Sequence, residues 1–156
     1  MCVIVDADVA SLVFGEPPHQ DFLPVFQWLH DGHRDGCLVY GGRLREELFE
    51  LIAVRRYILR LDQAGRARLM LQSELDPEEA RLTQTKLCKS NDVCVIALAR
   101  ISGARTLCSH DTDLHEDFTN PRLISKQRGS VYQTREHIHL LKHTPSCGRG
   151  RQGGRR

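Results

Sequence analysis

The chain has 156 residues, the size of one domain with a hydrophobic core that needs no staples. Hydrophobic residues make up 40% and charged residues 27%, the balance of a soluble globular protein. No run approaches a membrane span, and the N-terminus lacks a basic region followed by an apolar stretch, so the expected setting is cytoplasmic, without a membrane partner. The six cysteines form no C-x-x-C pair and several sit in apolar runs, which argues against a disulfide framework. The net charge of +2 is concentrated in Arg149, Arg151, Arg155 and Arg156; without them the body is close to neutral and gives no charge argument for nucleic acid.

Val3, Ile4 and Val5 form an apolar, β-branched run expected as a buried strand, ending on Asp6, Ala7 and Asp8. Phe22, Val25, Phe26 and Leu29 mark an amphipathic helix, with Trp28 in its core, and 32–36 is a turn-rich loop. Cys37 to Tyr40 is a second short strand. A long helix is expected after it, with Leu44, Leu48, Leu51, Ile52 and Leu59 buried, Gly65 near its end, and Glu46 and Glu47 in its first turns. Asp76, Pro77 and Glu79 match N-cap, first helical residue and capping-box partner of another helix.

Ser90, Asn91 and Asp92 are capping types that open a helix apolar nearly all round, and Gly103 stops it. Thr106, Leu107 and Cys108 then read as a buried strand running into His110, Asp111, Thr112 and Asp113. Leu123 and Ile124 suggest one more strand, Val131 and Tyr132 a short extended piece, and 136–143 a last short helix. Strands alternating with helices predict an α/β fold with a mainly parallel sheet. The domain is expected over 1–146, with a disordered Gly/Arg-rich tail over 147–156.

In a right-handed βαβ unit a helix starts at the sheet edge where the preceding strand ended, and the next strand ends there too. Asp6, Glu46 or Glu47, Asp92, and Asp111 with Asp113 are therefore expected at one carboxyl edge, where open α/β sheets bind ligands. Singly, each acid has an ordinary explanation, since Asp is common after strands and acids stabilise helix N-termini. Together they repel and need protons or a cation, and hard oxygen donors suit Mg²⁺ or Mn²⁺ and phosphoryl chemistry.

VIVDADV, LREEL, SNDVCVIALARISGA and SHDTDL, spread over roughly residues 3 to 118, together resemble the PIN-domain ribonucleases, many of them toxins of toxin–antitoxin pairs. The resemblance implies a three-layer α/β/α fold and Mg²⁺- or Mn²⁺-dependent cleavage of RNA, leaving a 5′-phosphate and a 3′-hydroxyl. It implies Asp6, Asp92 and Asp111 as principal metal ligands, and Glu47 rather than Glu46 as the second acid, placing a second metal or the attacking water with Asp113. Ser109 matches a hydroxyl residue often found before the fourth acid, while Asp8 stands where the family often has Asn or Ser. An RNA substrate, an antitoxin partner and a homodimer follow as expectations.

VIVDADV also resembles the opening of haloacid-dehalogenase-type phosphatases, with Asp6 as nucleophile and Asp8 as acid/base, but Cys88 stands where a further Asp is expected. A third reading keeps the fold as a catalytically inactive binding domain. His137, His139, His143 and Cys147 have donor types that suit Zn²⁺, though only His139 and His143 share a helix face, and a polar helix face is the favoured explanation. Arg55, Arg56, Arg60, Arg66 and Arg68 form a basic stretch suited either to an RNA backbone or to a solvated helix face.

Overall fold

A computed structural model describes residues 2–31 and 34–142. Its centre is a five-stranded, all-parallel sheet in the order β3-β2-β1-β4-β5. The strands are β1 (Cys2–Val5), β2 (Cys37–Gly41), β3 (Ala67–Met70), β4 (Thr106–Cys108) and β5 (Ser130–Tyr132). The helices are α1 (Ala7–Val13), α2 (Leu23–His30), α3 (Gly42–Phe49), α4 (Ile52–Gln63), α5 (Gln72–Thr85), α6 (Val93–Ser102) and α7 (Thr112–Thr119), with a final 3-10 turn over Arg135–Lys142. Helices cover the sheet: α1 touches α2, α3 and α4, and α5 packs along α6. The fold is α/β in three layers.

β1 lies between β2 and β4, and all four of its residues are buried, which suits a β-branched run covered on both faces. From β1 the chain moves outward through β2 to β3, then crosses back to β4 and outward again to β5. The order reverses between β1 and β4, so the crevice at their carboxyl ends is the topological switch point, the usual ligand position in such sheets. Val5 pairs with Cys108 at that end, and Asp6 and Ser109 are the next residues on the two strands.

α6 is the internal pillar, with Cys94 to Ala99 and Ser102 all buried. Its apolar residues on every side meet α5, α3 and β2, as an all-round apolar helix must. Truncating the fully buried Ile96 to Ala would cost about 2–5 kcal/mol. Asp92 stands at its N-cap, and Gly103 ends it with φ +85°, a conformation that a β-carbon disfavours.

Four expectations are corrected. The long helix is two: Leu51 is extended (φ −94°, ψ 109°) and restarts the chain as α4. Apolar residues over 44–61 support two registers, and α4 uses Val54, Ile58 and Leu61, which leaves Leu51, Ile52 and Leu59 exposed. α5 begins at Gln72 rather than at Asp76, with Pro77 inside it, because the fully buried Leu75 anchors its first turns. Leu123 and Ile124 are buried in a turn, not a strand, and β5 lies at the extended piece instead. Three elements were not foreseen: α1, which starts directly after Asp6, β3, whose residues Arg68 and Leu69 read as surface, and α7, which Asp111 caps. The expected boundary at 146/147 and the tail lie outside the described residues.

Candidate functional site

Asp6 directly follows β1 and caps α1, accepting the Ala7 N–H at 2.9 Å through Oδ1. Its other oxygen accepts the Ser109 hydroxyl at 3.0 Å, so a carboxyl only 4% exposed has both oxygens bonded. Burial still favours its neutral form. With the charges of Asp8 and Asp92 it raises Asp6 to about 7, against the opposing Ser109 bond. Asp8, in the first turn of α1, is exposed and accepts the His110 N–H at 3.0 Å. These bonds tie the ends of β1 and β4 together.

Asp111 caps α7, with Oδ1 accepting the N–H groups of Asp113 at 3.0 Å and Leu114 at 3.2 Å. Its own N–H donates to Ser109 Oγ at 3.0 Å. Ser109 thus joins two of the acids while being completely buried itself.

Asp92 and Glu47 face each other across a cleft of about 80 Å³, lined also by Arg43, Glu79, Asn91 and Cys94. The approach of α3 to α6 depends on Gly42, which has φ +55° and whose β-carbon would lie 2.9 Å from Cys94 Sγ. Burial raises the Asp92 carboxyl, as do the charges of Glu47, Asp111 and Asp8, while Arg43 lowers it. Arg43 Nε is 3.4 Å from Glu47 Oε2, one helical turn away.

Asp6, Asp8, Glu47, Asp92 and Asp111 therefore share one electrostatic neighbourhood at the switch point. Asp113 is in the first turn of α7 but exposed, and its charge acts on Lys89. Glu46 is exposed beside the half-buried Glu47. Among the described residues no three Asp, Glu, His or Cys side chains meet closely enough to make a ready ligand set. The donor chemistry nevertheless fits a hard divalent cation, since all the donors are carboxylate oxygens and two of the carboxyls are pushed up by burial and, after it, by negative neighbours.

The other candidates fall elsewhere. His137 Nδ1 accepts the N–H of Gln133 at 3.1 Å and of Thr134 at 3.4 Å, so it caps the 3-10 turn. His139 is exposed, and His143 and Cys147 lie outside the described residues. Arg66 is not an RNA-facing residue: its guanidinium donates to the carbonyls of Trp28, Asp31 and Gly36, closing the end of α2. Arg55, Arg56 and Arg60 are exposed on α4. Trp28 is core, as expected.

Sequence reasoning missed Arg43, for which charge one turn before Glu47 was a usable signal. It also missed Asp117, a buried acid on α7 bonded to Lys89 and Ser90, which reads as an ordinary surface residue in sequence. Comparisons with protein-family models, curated proteins and solved structures gave no match.

Proposed function

We propose that this protein is a metal-dependent endoribonuclease of the PIN type, acting as the toxin of a toxin–antitoxin pair. The observation that carries this reading is the gathering of the acids around the sheet's switch point, where Ser109 bonds to both Asp6 and Asp111 and where Asp92 and Glu47 line one cleft. Asp6, Asp92 and Asp111 are the residues that hold Mg²⁺ or Mn²⁺, with Glu47 joining from the cleft. The ion supplies Lewis acidity for hydrolysis of the phosphodiester bond. Ser109 and the α7 N-terminus hold Asp6 and Asp111 in place, and Glu47 orients the attacking water. Arg43, 68% exposed at the cleft mouth, contacts a substrate phosphate.

The sequence resemblance supports the same assignment, and the toxin role rests on it alone. An antitoxin, a homodimer and a cytoplasmic setting belong to the proposal. No helix among the described residues is long and apolar enough to cross a membrane. The phosphatase alternative employs Asp6 and Asp8 and leaves the coupling of Asp92 to Glu47 and Asp111 without a role.

The test is incubation of total RNA and of short defined RNAs with the purified protein in Mg²⁺, Mn²⁺ or EDTA, beside Asp92→Asn. Para-nitrophenyl phosphate serves as the parallel substrate. Metal-dependent fragments absent from the variant support the nuclease. Ester turnover with intact RNA favours the phosphatase, and metal uptake without either reaction favours the inactive binding domain.

A further inference from the structure

Two serines occupy equivalent places before two of the site acids. Ser109 donates to the buried Asp6 carboxyl and accepts the N–H of Asp111, two residues on. Ser90 does the same one loop away: its hydroxyl donates to Asp117 Oδ2 at 2.8 Å, and its Oγ accepts the N–H of Asp92 at 3.3 Å. Asp117 is 1% exposed and also takes the backbone N–H of Ser90 at 2.9 Å and of Lys89 at 2.9 and 3.1 Å. A buried carboxylate with this many donors is fully satisfied and fixes the backbone that supplies them.

We propose that Asp117, acting through Ser90, is the positioning residue of Asp92. The 89–92 segment ends the connection from α5 to α6, and its conformation decides where the Asp92 carboxyl stands relative to Glu47 and Asp111. α7 thereby carries two duties: its N-cap is Asp111, and its inner face holds the loop that presents Asp92. The Lys89–Glu116 ion pair is exposed on both sides and adds little to this hold. The functional consequence rests on the metal-site reading; the hold on the loop does not.

The experiment uses the full chain as wild type, Ser90→Ala, Ser90→Thr and Asp117→Asn. Amide hydrogen exchange at Asp92 is followed by NMR, and Mn²⁺ uptake by the electron paramagnetic resonance of the free ion. Ser90→Ala and Asp117→Asn are expected to speed exchange at Asp92 relative to the core of α6 and to weaken Mn²⁺ binding by about ten- to a hundredfold. Ser90→Thr, which keeps the hydroxyl, is expected to stay near wild type in both. Unchanged exchange and Mn²⁺ affinity in Ser90→Ala overturn the proposal, as does a loss of stability spread evenly with no selective change at Asp92. A wild-type protein that takes up no Mn²⁺ defeats the metal reading alone, and the exchange data then decide the positioning claim. If Asp117→Asn does not fold, the Ser90 pair decides.

Discussion

Ser109 and Asp6 are 103 positions apart in sequence and 3.0 Å apart in space, hydroxyl to carboxyl. The bond spans the switch point between β1 and β4 and is wholly buried. Ser109→Ala removes the one contact that lowers the Asp6 pKa and leaves the Asp111 N–H without its acceptor. Expected is a loss of about 1–3 kcal/mol in urea denaturation and an Asp6 carboxyl that titrates higher still by carbon NMR. Ser109→Thr is expected to recover most of both.

The raised Asp6 carboxyl gives stability a definite pH dependence. Between the ordinary 3.8 and about 7, native Asp6 holds a proton that the unfolded chain has lost. Its contribution is therefore favourable at low pH and is lost as pH rises through that window. Melting temperature across pH 4–7.5, in EDTA, is expected to fall more in wild type than in Asp6→Asn. Under the proposed metal-site reading a divalent cation would compete with that proton, and Mn²⁺ affinity is expected to rise over the same range.

Sequence reading reached the parts of this molecule fixed by local pattern. The apolar run at 3–5, the capped and glycine-stopped α6, and the acids after β1 and β4 are all properties of neighbouring residues, and they sufficed for an α/β parallel sheet. What escaped depended on choices between registers or on distant partners. The break at Leu51 is invisible because the apolar spacing fits both a continuous helix and the observed pair. β3 escaped because Arg68 and Leu69 sit on an edge strand with little burial. The Ser90–Asp117 bond joins residues 27 apart, and no periodicity reports it.

Glu47 and Asp113 are expected to differ, although both were candidate site acids. Glu47 lines the cleft and acts on Asp92, whereas Asp113 is exposed and acts on Lys89. Glu47→Gln should weaken Mn²⁺ binding about tenfold or more and let the Asp92 carboxyl titrate lower; Asp113→Asn should stay within about threefold of wild type. Parallel metal titrations of the two variants make the comparison.

Gly103 holds the exit of the central helix at φ +85°. Gly103→Ala is expected to cost about 1–2 kcal/mol in chemical denaturation, with no change in Mn²⁺ affinity, since it lies at the far end of α6 from Asp92.

The central claim is that Asp6, Glu47, Asp92 and Asp111 act as one cation site. Isothermal titration calorimetry of wild type and Asp92→Asn with Mn²⁺ at neutral pH tests it most directly. The account predicts saturable binding in wild type, weakened about a hundredfold or more in a variant that melts near the wild-type temperature without metal. Absence of binding in wild type, or equal binding in both proteins, would contradict it.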